Sequence, residues 1–461
     1  MIGILNICDL NVLYLLNGCK SNIKSVFDLF VSQSNNMIKR FSNIILWTVF
    51  FSLFLSISNS AQVNLPASNP DRIILNLRQD AENSVAVTWR TSTHITEGFC
   101  QLQFLSDAPV NIEAGETYKA KTKTMKYVHG NEPVISSNHH SYVFTGLKEG
   151  TNYMYRVGTE GNWSEWLEFS TANNDNKVSF IYFGDPQNDI KSQWSRIVRK
   201  AYRNYPDCDF MLYAGDIINT AGSDLQWDEW FKAGSFIYGS VPQILTPGNH
   251  DYDELVLDPH WNAQFTQESN GPKGLEGTCF FVDYENLKII SFDSAAEGEL
   301  EDENGYALLS QKAWLDSVLT ANTREWVILT THLPFYSPKE SRDNKLLRKH
   351  FQPIIEKHGV DMVLTGHDHS YGRGMASDNP DVKPSVVYVV SVSGPKLYEA
   401  GNKKWMQQKG SQMQFFQNIS INKNQLKYQA YTASGKLFDS FLLKKRKNGT
   451  NKMIDQKSNI N

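Results

Sequence analysis

The sequence predicts two folds in series. An all-β sandwich covers residues 70–172, and an α/β domain of layered β-sheets flanked by helices covers residues 178–444. Three observations carry this. The first stretch alternates apolar and polar residues with a period of two and has no useful helical period, as half-buried strands do. The second is a series of short apolar runs, each ending in Gly or a polar residue, with amphipathic segments between them. The polar linker Ala172-Asn-Asn-Asp-Asn-Lys177 separates the two. The chain has 461 residues, 41% hydrophobic and 12% aromatic, which suits two or three domains and excludes a disordered body. Its 45 Lys and Arg against 49 Asp and Glu give a formal net charge of -4, which argues against a nucleic-acid partner.

Ahead of the sandwich, Ile44 to Ile57 is a nearly unbroken apolar run. Lys39 and Arg40 precede it, and the small residues Ser58, Asn59, Ser60 and Ala61 come after it. A basic start, a short apolar middle and a small-residue exit describe a secretory signal peptide, read here as residues 37–61 starting at Met37. The run is shorter than the ~20 residues of a membrane span, so an uncleaved anchor ranks second and no stable span is expected after cleavage. Residues 1–36 take no part in this pattern and read as an over-extended start or an unstructured leader. Export implies a secreted or periplasmic protein. Cys8 and Cys19 would leave with the leader. Of Cys100, Cys208 and Cys279, at least one must be a buried thiol or pair elsewhere.

In the sandwich, SVAVTWRT (Ser84 to Thr91), CQLQF, HSYVFTGL and NYMYRVG read as strands separated by Gly and Asn turns, with Trp89 as a core residue. His139 and His140 are expected on its surface. In the α/β domain the apolar runs VSFIYF, DFMLYA, VPQILTP, LKIISF, EWVILTT and VDMVLT read as buried strands. Helices are expected over Ser192 to Asn204, Leu225 to Lys232, Gln311 to Leu319 and Asn344 to His358, with Trp227 and Trp230 in the core. The basic, polar tail, residues 445–461, is expected to be solvated and frayed.

The chemistry lies at the ends of the strands. Asp185, Asp216, Asn249, His250, His332, His367 and His369 all stand there, where layered α/β folds gather ligand-binding groups along one edge. Carboxylates, a carboxamide and imidazoles are ligands for transition metals. A single His after a strand is more often structural, but this many ligand types at successive strand ends are hard to explain by packing. His367 and His369 stand two apart, which on a strict strand would point both to one side. Asp293 ends a strand without matching a ligand position and reads as structural. Asp251 reads as a group that orients His250 or caps a turn.

The ordered motifs GDPQ (184–187), GDIIN (215–219), GNHD (248–251), ILTTH (328–332) and GHDH (366–369), continued by Ser370, Tyr371 and Arg373, closely resemble the purple acid phosphatases of the calcineurin-like metallophosphoesterase superfamily. Gly146 to Tyr153, with Tyr155 and Val157, resembles the tyrosine-corner segment of fibronectin type III domains, and plant-type purple acid phosphatases carry such a domain first. The resemblance implies a hydrolase of phosphomonoesters with two metal ions, and the signal-peptide pattern would make it a secreted one. Asp185 and His369 would hold one ion, Asn249, His332 and His367 the other, and Asp216 would bridge them. A metal-bound hydroxide would attack phosphorus while His250 assists the leaving oxygen.

The chain departs from that family at informative places. The family's GDxxY tyrosine is Asn219 here, which offers a neutral carbonyl or nothing, so a divalent pair of Mn, Zn or Fe is expected in place of a purple ferric site. Gln187 stands where many non-purple relatives have a ligand His, and is either a carbonyl ligand or a supporting residue. The histidines that plant-type members carry after the lone His are missing, leaving Arg342 or Lys339 as candidate phosphate contacts against the plainer reading of a solvated loop. The metal motifs alone do not separate a phosphatase from a phosphodiesterase or nucleotide pyrophosphatase. A binding protein with a vestigial site is the third reading, opposed by the complete ligand set.

Overall fold

Strands β1 (Asp71–Leu77), β2 (Val85–Ser92), β3 (Phe99–Phe104), β4 (Glu116–Lys119), β5 (Lys121–Tyr127), β6 (Ile135–Phe144), β7 (Asn152–Thr159), β8 (Asn162–Trp163) and β9 (Leu167–Ser170) form from the alternating segments. They make two layers, β1-β2-β6-β5 and β4-β3-β7, with β8 and β9 both paired to β7. Trp89, Phe144, Tyr155 and Val157 pack between the layers. The Tyr153 hydroxyl accepts the Lys148 N–H at 2.8 Å, the bond that characterises a tyrosine corner. The computed structural model describes residues 64–109, 115–128, 130, 134–445 and 451–456, so the leader and signal-peptide readings lie outside the described residues.

The remainder alternates strand and helix at first. β10 (Lys177–Phe183), α1 (Ser195–Asn204), β11 (Phe210–Ala214), α2 (Asp224–Gly234), α3 (Phe236–Ser240) and β12 (Gln243–Thr246) lead to a small hairpin, β13 (Tyr252–Asp253) and β14 (Val256–Leu257). Next come α4 (Trp261–Gln264), β15 (Phe280–Tyr284), β16 (Leu287–Phe292), α5 (Tyr306–Thr320), β17 (Trp326–Thr331), α6 (Lys345–Lys357) and β18 (Met362–Thr365). The chain ends in strands β19 (Tyr371–Met375), β20 (Val387–Val390), β21 (Gln408–Gly410), β22 (Phe415–Asn422), β23 (Gln425–Thr432), β24 (Leu437–Lys445) and β25 (Asn451–Asp455).

Two sheets face each other. One runs β15-β16-β17-β18-β20-β19-β21; the other contains β22-β10-β11-β12. Apolar residues of both, among them Phe180, Leu212, Ile289, Ile328 and Leu364, share one core. Helices α1 and α2 cover the outer face of the second sheet, and α5 and α6 that of the first. Each of the six apolar runs forms a strand, because a run buried on both faces need not alternate. Helix α1 starts later than the Ser192 expected, because Ile190–Trp194 make a wider π turn that buries Ile190 and Trp194.

The second sheet does not stop at the end of the α/β domain. It runs β25-β24-β23-β22-β10-β11-β12-β1-β2-β6-β5, so β12 pairs with β1 of the sandwich, parallel, with Asn76 opposite Gln243. The Asn76 amide donates to the Gln243 carbonyl at 3.3 Å, and the Tyr155 hydroxyl donates to the Gly239 carbonyl at 2.6 Å.

Two expectations are corrected. His139 and His140 are not surface residues; both are buried, because β6 lies inside the sheet, with one face on the sandwich core and the other near the Arg72 and Arg90 charges at the junction. The tail is not frayed throughout: Asn451–Asp455 pairs antiparallel with β24, and Asp455 meets Arg373 at 2.9 Å. Trp227 and Trp230 are core residues, and Cys100, Cys208 and Cys279 are all buried free thiols. Among the described residues no helix is long and apolar enough to cross a membrane.

Candidate metal centre

Five of the strands end at one place. β10 delivers Asp185, β11 Asp216, β12 Asn249 and His250, β17 His332, and β18 His367 and His369. The loops after the strands are bent hard. Asp185, Asp216, His367 and His369 all have positive φ, at 40°, 51°, 70° and 46°. Such backbone costs about 1 kcal/mol or more per residue and persists only where the surroundings enforce it. His367 and His369 therefore do not ride on a strand, as their spacing suggested; a left-handed bend after β18 places them. Gly215 precedes Asp216 because a Cβ there would come within 2.4 Å of His332 Nδ1.

The atoms converge in two groups. Ligand atoms of Asp185, Asp216 and His369 lie within 4.8 Å of one another, and all three residues are buried. Beside them, Asn249 Oδ1 lies 3.0 Å from His332 Nε2 and 2.9 Å from His367 Nδ1, and those two nitrogens are 3.1 Å apart. His332 Nε2 is also 3.3 Å from Asp216 Oδ1. Asp216 thus touches both groups. About 3 Å is the spacing of adjacent ligands around an ion held at about 2.1 Å.

The donor set fits a cation. Asp185 Oδ2, His369 Nδ1 and Gln187 Oε1 are buried without a hydrogen-bond partner, which is costly unless something binds there. Burial pushes the Asp185 carboxyl up to about 8, the nearby Asp216 charge adding to the effect against the pull of His332. Burial also opposes the charge on Asp216, yet the His332, His250 and His367 imidazoles hold it below the usual carboxylate range. His332 rises to about 10, because the two aspartates outweigh its burial. Burial lowers His367 and His369, the latter to about 3. These opposed shifts belong to two buried carboxylates sharing one imidazolium, where a metal cation would stabilise both in charged form.

Neighbouring groups hold the loops. Buried Asp251 accepts the N–H of Gly248 at 2.8 Å and of Ile217 at 3.2 Å, tying the loops after β11 and β12 together. It therefore fixes backbone rather than the His250 ring. Asp293 accepts the Tyr252 hydroxyl and the N–H of Ala296, a structural role. Tyr371 and Arg373 turn from the site to Asp439, at 2.7 Å and 2.8 Å.

The remaining candidates sit around this core. Gln187 is buried and donates from Nε2 to Asp216 Oδ2 at 2.6 Å. Asn219 accepts from Asn188 Nδ2 at 2.8 Å and donates to Thr220 Oγ1 at 3.2 Å, while its backbone carbonyl lies 2.7 Å from His250 Nδ1. With Nδ1 on a carbonyl, the half-buried His250 has Nε2 for other contacts. Arg342 pairs with Asp368 inside the GHDH segment, and Lys339 lies 4.7 Å over the Tyr398 ring.

Sequence reasoning missed one flank. The segment after β20 passes beside the cluster, placing Lys396 Nζ 3.5 Å from His250 Nε2 and the Tyr398 ring 4.8 Å from that of His369. A signal was there to be read: VVYVVSVSG is another apolar strand-like run with a glycine at its end, like the six assigned as strands.

Both parts of the chain are similar to known proteins. Residues 70–171 match the family described as purple acid phosphatase, N-terminal domain, and residues 178–371 match the calcineurin-like phosphoesterases. The chain is 25% identical over 349 residues to "Acid phosphatase type 7" of Homo sapiens, covering 71% of this chain and 76% of that protein. It is 23% identical over 234 residues to "Purple acid phosphatase 22" of Arabidopsis thaliana, covering 49% of this chain and 51% of that one. In fold it is similar to a purple acid phosphatase from yellow lupin (Lupinus luteus) seeds, with a TM-score of 0.67, 17% identity, and coverage of 83% of this chain and 75% of that one.

Proposed function

We propose, from the premise that the chain belongs to the purple-acid-phosphatase-like metallophosphoesterases and is a metal-dependent hydrolase, that it is an exported dinuclear phosphatase acting on phosphomonoesters. The observation that carries this reading is the pair of ligand groups meeting at Asp216. Asp185 and His369 would hold one divalent ion of Mn, Zn or Fe; Asn249, His332 and His367 would hold the second, and Asp216 would serve both. Bound there, the ions would neutralise phosphoryl charge and lower the pKa of a water nucleophile.

The chain's own residues supply the rest. Gln187 holds Asp216 in orientation from one side, and the His250 backbone N–H does so from the other at 2.9 Å. His250 Nδ1 faces the Asn219 carbonyl, which fixes the ring and leaves Nε2 to hydrogen-bond or protonate the departing oxygen. The substitution of Asn219 for tyrosine supports a colourless divalent site, since its side-chain amide already bonds Asn188 and Thr220. The apolar run Ile44 to Ile57 behind a basic pair supports export.

The test is p-nitrophenyl phosphate hydrolysis by the full chain, with chelator and with Mn, Zn or Fe restored. Chelator-sensitive turnover regained with one metal, two ions per chain and no strong visible absorption is the expected result. Turnover of bis(p-nitrophenyl) phosphate with none of the monoester would replace the phosphatase by a phosphodiesterase.

A further inference from the structure

We infer that Lys396 is a substrate-phosphate contact that biases this site toward monoesters over diesters, an inference that rests on the phosphatase function proposed for the metal centre. The segment bearing it is fastened to the ligand loops. Ser393 N–H donates to the Gly184 carbonyl at 2.6 Å, Gly394 N–H to the Asp185 carbonyl at 2.7 Å, and Tyr398 N–H to the His369 carbonyl at 2.8 Å. A Cβ at Gly394 would lie 2.4 Å from the Gln187 carbonyl, so only glycine lets the segment approach this closely. Pro395 then restricts the backbone just before Lys396. The lysine is thereby anchored on both sides within a few residues.

Its charge has no counter-ion. Among the described residues no carboxylate lies within ion-pair distance of Lys396. The two other cations at this rim are engaged, Arg342 by Asp368 and Lys339 by the Tyr398 face. The Lys396 ammonium points instead at His250 Nε2, the nitrogen facing the reaction. A half-buried, preorganised ammonium beside that atom is complementary to an anionic oxygen. A phosphomonoester dianion has a third terminal oxygen and a second negative charge; a diester has an ester group in their place. Lys396 answers that extra charge.

Lys396→Met and Lys396→Arg in the metal-loaded full chain test the assignment. K396M is expected to lower kcat/KM for p-nitrophenyl phosphate about 10- to 100-fold, the loss of a charge-assisted hydrogen bond. It should raise the inhibition constant of inorganic phosphate similarly, and change bis(p-nitrophenyl) phosphate turnover less than about threefold. K396R should recover most of the monoester activity. Equal losses on both substrates, no loss on either, or unchanged phosphate inhibition would overturn the role. If the unaltered chain hydrolyses no monoester, the phosphatase reading fails instead. Calorimetric phosphate binding to the two metal-loaded proteins then decides on Lys396 alone: weaker binding to K396M keeps the contact, and equal binding removes it. Thermal melting of each variant separates misfolding from lost contact, and K396Q replaces K396M if the latter does not fold.

Discussion

The molecule buries histidines in two regions and treats them in opposite ways. In the sandwich, His140 Nε2 lies 2.8 Å from Thr91 Oγ1 and its Nδ1 2.9 Å from Thr122 Oγ1, with the ring stacked 5.3 Å from Trp89. Both nitrogens are satisfied by neutral hydroxyls. At the strand ends of the α/β domain, His332, His367 and His369 crowd around carboxylates and one another, and His369 Nδ1 has no partner. Burial and residue type are the same in the two places. The difference is closure: a completed hydrogen-bond set builds structure, and buried lone pairs left facing one point build a ligand site.

The largest effect that would sharpen this contrast comes from Asp216→Asn, which removes the charge common to both ligand groups and keeps the shape. Hydrolysis should fall at least about a hundredfold and metal content should drop, while the fold stays. Unchanged metal content by elemental analysis would show that the site is as closed as the one around His140. His140→Phe should do the reverse. Losing the two hydrogen bonds to the Thr91 and Thr122 hydroxyls should cost about 2 kcal/mol in urea unfolding, with turnover per folded molecule unchanged.

His140 also carries a pH signature. Burial pushes it from 6.5 down to about 4. The unfolded chain therefore binds a proton that the folded chain refuses between those values. His140's contribution to stability is complete above pH 6.5 and is lost as pH falls toward 4. Measured in chelator, the His140→Phe variant should lose less stability over that window than the unaltered chain; parallel slopes would show that the ring is solvated. The smallest effect is expected from Tyr153→Phe, which removes only the acceptor of the Lys148 N–H and should cost about 1 kcal/mol, with no change at the metal centre.

The site was more legible than the packing around it. Asp185, Asp216, Asn249, His332, His367 and His369 could be singled out because apolar runs stop abruptly at polar residues, and backbone geometry then requires Gly beside several of them. Lys396 escaped notice because lysine after a strand usually means a solvated turn; only the fold brings it to His250. His140 was misplaced although it stacks on Trp89 at the sandwich core, and His139 because period-two alternation assumes that one face of the sandwich is wet. Here the α/β domain covers that face near Arg72 and Arg90, which no local pattern records. The left-handed bend carrying His367 and His369 was equally invisible, since spacing alone does not report the sign of φ.

The parallel pairing of β1 with β12 has a consequence for synthesis. A ribosome makes β1 first, and its partner strand begins only at Gln243. At about 5–20 residues per second, the interval lasts on the order of ten to thirty seconds. Through that time the nascent sandwich presents an unpaired edge, the feature that recruits stray strands from other chains. The newborn chain is therefore most open to wrong partners midway through translation, and the strand that ends the hazard belongs to the domain that also builds the metal centre.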